Sequence, residues 1–148
     1  MGKRATFRLQ PVLELRRSQE RAAALAAAEA ANTAAEADRR AAARENALLG
    51  ARPPASTTPG AFVAAMALLR LAAEDASAQR SLATASAEQA EAVRAQWTAA
   101  AQRTKALERL KDRHAAALLS AELAAENRAV DDLVTGRAGR SRAAGDAS

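Results

Sequence analysis

Few residues in this 148-residue chain could do chemistry. It has one histidine, His114, and no cysteine. A single imidazole without a thiolate or a second imidazole does not make a metal site. No set of nucleophile, base and acid can be assembled, and no glycine-rich phosphate loop is present. The sequence therefore predicts a protein that is not an enzyme, with no catalytic residue, cofactor, metal or small-molecule substrate.

The composition favours long helices over a compact core. Hydrophobic residues make up 49% of the chain but aromatic residues only 2%, because most of the apolar residues are alanine. Alanine is the best helix former, yet each one buries only about one methyl group, worth roughly 0.8 kcal/mol. No run of β-branched or aromatic residues resembles a strand. The sequence predicts an all-α fold with a thin core.

One proline- and glycine-rich segment divides the chain. Residues 50–60, GARPPASTTPG, cannot continue a helix. We predict a basic arm over 1–10, helix 1 over 11–49, this connector, helix 2 over 61–135 and a disordered basic tail over 136–148. Either Thr58 or Gly60 would cap helix 2. The two helices are predicted to form an antiparallel coiled-coil hairpin in which the second is longer.

Apolar residues spaced by alternating steps of three and four define a predicted packing seam on each helix. In helix 1 they are Ala23, Ala27, Ala30, Ala34, Ala37 and Ala41. In helix 2 they begin with Phe62, Met66, Leu69, Ala73 and Ala76, and after a predicted phase slip continue with Leu82, Ser86, Ala90 and Val93. The last part uses Trp97, Ala100, Thr104 and Leu107, then, after a one-step phase change, Leu110, His114, Ala117 and Ala121.

We predict the pairing of the helices by assuming that the chain folds back at the middle of the connector. Leu13 would lie near Trp97, and Phe7 near Arg103. Residues beyond about Lys105 would then project past helix 1, bend, or pack on a partner.

The net charge of +5 is unevenly distributed. The excess of basic residues lies in the N-terminal arm, in Arg103–Arg113 and in the tail. Elsewhere basic residues are balanced by acidic ones, and no aromatic residues are interleaved with them, so specific binding of nucleic acid is not expected. No stretch of 18 apolar residues could span a membrane, and no signal-peptide core is present. The lack of cysteine suits a reducing cytosol.

Both ends of the hairpin carry a family resemblance. FRLQPVLELRRSQE at Phe7–Glu20 and W-x-x-A-x-x-x-x-K-A-L-E-R-L-K-D-R at Trp97–Arg113 resemble the FliJ family of bacterial flagellar type III export proteins. ENRAVDDL at Glu126–Leu133 is similar to the acidic ending of that family. The resemblance implies a stalk-like antiparallel coiled coil that associates with the hexameric export ATPase, the export-gate membrane protein and export chaperones. It implies a cytoplasmic protein held peripherally on the inner membrane at the flagellar base.

The resemblance also implies two sets of binding residues. Leu107 and Leu110 support the first set, because large apolar residues flanked by cations are typical of a docking surface. The residues expected to bind the ATPase are Leu13, Arg16, Arg17, Trp97, Leu107, Arg109, Leu110, Lys111 and Arg113. Those expected to bind the export gate are Phe62, Met66, Leu69 and Ala73.

Two alternatives belong to other functional classes. The chain could be a basic Ala/Arg-rich helical protein that binds nucleic acid nonspecifically, or a homo-oligomeric structural coiled coil. The alanine-rich middle of the chain does not favour any one of these three functions over the others.

Overall fold

The computed structural model describes the backbone of residues 6–145 and the side chains of residues 6–136. It contains two helices, α1 (Gln10–Gly50) and α2 (Pro59–Gly145), and no strand within that described backbone. The predicted all-α hairpin with a longer second helix is confirmed.

Local hydrogen bonds fix the ends of the helices. The Gln10 N–H donates to the Phe7 carbonyl at 3.0 Å, which forms a turn just before α1. At the start of α2, the Thr58 hydroxyl accepts the Ala61 N–H at 3.3 Å and its carbonyl accepts the Phe62 N–H at 3.0 Å. Thr58 is therefore the N-cap residue and Pro59 occupies the first helical position, where its missing N–H costs nothing.

The structure gives α2 the bounds Pro59–Gly145. The predicted domain bounds, including the disordered tail over 136–148, stay a prediction. Alanine and arginine are strong helix formers, and each glycine costs only about 1 kcal/mol relative to alanine. Residues 1–5 of the predicted arm and 146–148 of the predicted tail lie outside the described residues.

The chain divides into two units. One joins Met1–Glu14 with Thr104–Ser148, and the other is Leu15–Arg103. We call them the terminal unit and the connector unit, and describe each by itself.

Alanine residues form the packing seam of the connector unit. Ala27 and Ala41 of α1 and Ala76 and Ala83 of α2 are all buried. The other predicted seam residues of α1 are half-buried, which matches the alternating spacing: Ala23, Ala30, Ala34 and Ala37. Small side chains let two helices approach closely. This seam therefore depends on close contact between the helices more than on a large buried area.

The predicted phase slip in α2 is wrong. From Ala76 to Val93 one series of buried and half-buried residues keeps steps of three and four: Ala76, Gln79, Ala83, Ser86, Ala90 and Val93; Arg80, beside Gln79, is also half-buried. Leu82, which was predicted to lie on the seam, is 58% exposed. The prediction placed the large side chain of Leu82 in the interior, but the buried residue is its small neighbour, Ala83.

Arg80 links the two helices of the connector unit. Its guanidinium donates two hydrogen bonds of 2.7 Å to the two carboxylate oxygens of Glu45 and one of 2.6 Å to Asp38. Arg44 pairs with Asp75 at 3.3 Å close by. The bidentate contact with Arg80 lowers the pKa of Glu45, since it stabilises the charged carboxylate.

Replacing Arg80 with glutamine should lower the Tm at neutral pH. Because the folded-state pKa of Glu45 is below its ordinary value of 4.5, the pair stabilises the fold above that value and loses its effect as the pH falls through the folded pKa. The Tm difference between the wild type and Arg80→Gln should therefore shrink in acid. Circular dichroism melts at neutral and acidic pH would measure it.

Arg40→Gln is the matched control. Arg40 pairs with Glu36 within one helix at 3.1 Å, and both side chains are well exposed. Pairs of this kind contribute little, so this variant should melt almost like the wild type. Equal losses in the two variants would mean that Arg80 has no special role in joining the helices.

Candidate functional site

Trp97 lies beside α1 in the connector unit, at a different place from the one predicted. It lines a groove with Ala24, Ala27, Ala28 and Ala31 of α1 and with Ala90, Glu91 and Arg94 of its own helix. The predicted neighbour, Leu13, belongs to the other unit. The prediction centred the fold on the connector, but the ion pairs match residues 38–45 of α1 with residues 75–80 of α2. In this register the first turns of α2 extend beyond the end of α1.

The other ATPase candidates of the connector unit lie near the start of α1. Arg16 and Arg17 are half-buried. The Arg16 guanidinium donates to the Gln19 side chain at 3.0 Å, and both residues line a groove with Ala100 and Arg103. With a Trp97 side chain that is 39% exposed, this unit presents cations and one aromatic ring to solvent.

The terminal unit also differs from the predicted pairing. The ring centroids of Phe7 and His114 are 5.7 Å apart, at an angle of 56°. Phe7 thus packs against His114 and not near Arg103, for the same reason of register. The segment Thr6–Leu9 lines a groove with Leu110 and His114, so the N-terminal segment covers α2 well beyond Lys105, where the prediction had α2 projecting.

The predicted phase change after Leu107 is wrong. The alternating spacing continues through Thr104, Leu107, Lys111, His114 and Leu118, which are buried or half-buried; Glu108 and Ala124, outside that series, are also half-buried. Lys111 occupies the position predicted for Leu110, because a lysine can lay its aliphatic stem along a seam while its ammonium reaches water. Leu110 is 37% exposed.

The ATPase candidates of the terminal unit differ in how exposed their side chains are to solvent. Leu13 is fully buried, so it stabilises the unit from inside. Leu107 is half-buried, whereas Arg109, Leu110 and Arg113 are exposed. The accessible surface is therefore one leucine with two arginines.

The export-gate candidates lie at the start of α2. Phe62 and Met66 are each 45% exposed. Leu69 is half-buried and Ala73 is exposed. At about 100° per residue these four lie within roughly 60° of arc, so they form one face of the helix.

Two groups of exposed apolar residues were missed by the sequence analysis. Val63, Leu68 and Leu71 are 67%, 67% and 60% exposed. The absence of charge over residues 59–69 was the available signal. The second group lies farther along α2, where a helical spacing was the signal: Leu119, Leu123, Val130, Leu133 and Val134.

Neither a metal site nor a membrane-spanning helix is found in the described part of the chain. No group of three His, Cys, Asp or Glu side chains is arranged to hold a metal ion among residues 6–136. Over the same described residues, neither helix contains a segment long and apolar enough to cross a bilayer.

Comparison with known proteins gives one match. The family model described as "Flagellar FliJ protein" matches residues 5–143, nearly the whole chain. No curated protein and no solved structure matches it. The family match agrees with the helical hairpin and with the earlier resemblance at both of its ends, and the chain belongs to the FliJ family of flagellar export components.

Proposed function

We propose that this protein is a non-enzymatic coiled coil that docks on the flagellar export ATPase through one surface and on the export gate through another. The observation that carries the proposal is the contrast between two exposed surfaces. One combines Leu110 with Arg109 and Arg113, and the other combines Phe62 with Met66 in a segment without charge.

The first surface suits a partner with acidic groups around an apolar pocket. Leu110 provides apolar contact area, while the exposed arginines on either side steer association and set its orientation. Lys111 adds a third cation at the edge of the seam. Leu13, which is buried, and Leu107, which is half-buried, belong to the same unit as this surface. Arg16, Arg17 and Trp97 offer a further cationic and aromatic contact on the connector unit.

The second surface suits a dry contact with a membrane protein. Phe62 and Met66 are large, adaptable apolar side chains on one helix face, with Leu69 and Ala73 on the same side. Such a contact would hold the protein peripherally at the inner membrane of the flagellar base. Export chaperones are the third proposed partner.

The two alternatives have less support. Nonspecific nucleic-acid binding is favoured by a continuous basic surface, but on the connector unit Arg40, Arg44 and Arg80 each pair with carboxylates. A homo-oligomeric coiled coil would use the exposed residues between Leu119 and Val134, and the mass in solution distinguishes it from the proposed adaptor.

The ATPase surface is tested by reversing its charge. Arg109→Glu with Arg113→Glu should weaken binding to the purified export ATPase about tenfold, by slowing association and reducing its dependence on salt. Calorimetry gives the affinity, and circular dichroism checks that helix content is unchanged.

The control is the pair Phe62→Ala and Met66→Ala on the other surface. It should leave ATPase binding intact and weaken binding to the export gate. Normal ATPase binding by the arginine variant would show that the contact lies elsewhere on the chain.

A further inference from the structure

The start of α2 is apolar on every side. Phe62 and Met66 lie about 40° apart on the face proposed for the gate. Val63, Leu71 and Leu68 follow at about 100°, 180° and 240° from Phe62. These three are between 60% and 67% exposed, so neither the seam nor the gate-facing side accounts for them.

The same segment is basic. From Asn46 to Ala73 the only charged residues are Arg52 and Arg70. Of the nearest carboxylates, Glu45 binds Arg80 and Asp75 pairs with Arg44, while Glu74 is exposed four residues after Arg70. A large surface at the start of α2 would therefore meet exposed apolar side chains and two positive charges, with one carboxylate at the edge.

A lipid surface fits these properties better than a protein face. Val63, Leu68 and Leu71 form a second apolar face beside the one proposed for the gate, and a helix with an apolar face and nearby arginines is typical of binding at a bilayer interface. The charge-free run Pro59–Leu69 has 11 residues, too few for the roughly 20 that span a bilayer but of a length found in interfacial segments. Arginines beside such a segment attract anionic headgroups.

We propose that the start of α2 inserts into the surface of an anionic phospholipid bilayer. Val63, Leu68 and Leu71 contact the boundary between headgroups and acyl chains, and Arg52 and Arg70 bind lipid phosphates. The insertion uses other sides of the helix than the gate contact. The proposed lipid contact is therefore independent of the proposed binding to the gate.

Vesicle flotation of the full chain tests the proposal. The protein should float with phosphatidylcholine vesicles that contain phosphatidylglycerol, and much less with phosphatidylcholine alone. The triple variant Val63→Ser, Leu68→Ser and Leu71→Ser should reduce the partition coefficient by at least about tenfold. Arg52→Gln with Arg70→Gln should reduce it about tenfold for anionic vesicles only. Because all five side chains are exposed, circular dichroism should show unchanged helix content.

The matched control removes the same number of large, exposed apolar side chains elsewhere on α2. Leu119, Leu123 and Leu133 are 58%, 52% and 70% exposed, and their triple replacement by serine should leave flotation unchanged. Three results would overturn the proposal. They are no flotation with anionic vesicles, an equal loss in the control, and a triple variant that floats normally because other basic residues carry the binding. If the Val63 triple variant loses binding to the gate protein while no form floats, that side of the helix belongs to a protein partner.

Discussion

Leu13→Ala is expected to destabilise the terminal unit by about 3 kcal/mol, as replacement of a buried leucine typically does. Leu13 is the one large side chain that is fully buried among the described residues. The unit should therefore open, with residues 10–14 and 104–118 losing protection from hydrogen exchange.

Leu15→Ala is the control, two positions along the same helix. Leu15 is 57% exposed, and a surface substitution of this kind usually changes stability by less than about 0.5 kcal/mol. Both variants keep a strong helix former, so propensity does not separate them. Equal protection of residues 104–118 in the two variants would show that Leu13 is not central to the packing of this unit. A loss that extends to the connector unit would mean that the two units unfold together.

Ala41→Leu is expected to have the second-largest effect, about 2 kcal/mol of destabilisation, from overpacking. Ala41 is completely buried in the seam of the connector unit. A leucine adds three carbon atoms to a seam of small side chains, so the helices must separate or the side chain must adopt a strained rotamer. Helix content should stay almost constant, because leucine is nearly as good a helix former as alanine.

Ala43→Leu provides the comparison, since Ala43 is exposed on the same helix. It should melt within a degree or two of the wild type, whereas Ala41→Leu should melt clearly lower in circular dichroism. If Ala41→Leu melts higher, the leucine has filled space between the helices and the seam is not tightly packed.

The helices were predictable because their signals are local. Alanine-rich composition, the alternating spacing of Ala23 to Ala41, and the prolines near residue 54 all act within a few turns of chain. The pairing of the helices was not predictable in the same way. Alanine recurs at nearly every seam position, so a shifted register buries almost the same groups.

The register depends on contacts between residues far apart in sequence. Arg80 bonds to Glu45 and Asp38 across separations of 35 and 42 residues, and no spacing rule shows such a pair. The choice of seam residues failed for a related reason. Size favoured Leu82 and Leu110 as interior residues, but Ala83 is buried because its side chain is small, and Lys111 is half-buried because its aliphatic stem can lie along the seam.

The binding residues were predictable only in part. A family resemblance indicated Arg109, Leu110 and Arg113, which are exposed, and also Leu13, which is not. Val63, Leu68 and Leu71 were not predicted because they lie outside the one helix face that the alternating spacing defines. The absence of charge over residues 59–69 would have revealed them.

The short connector also favours a particular order of contact formation while the chain is being synthesised. Loop-closure entropy grows with the length of chain between two contacts, by about 0.6 kcal/mol for each doubling. We therefore expect contacts next to residues 51–58 to form first, those of Arg80 to follow, and the packing of Phe7 on His114 to come last. Residues 6–14 leave the ribosome early but meet their partners only after about a hundred further residues have been added. For that interval Leu13 and its neighbours are available to chaperones, and the finished hairpin then hides them.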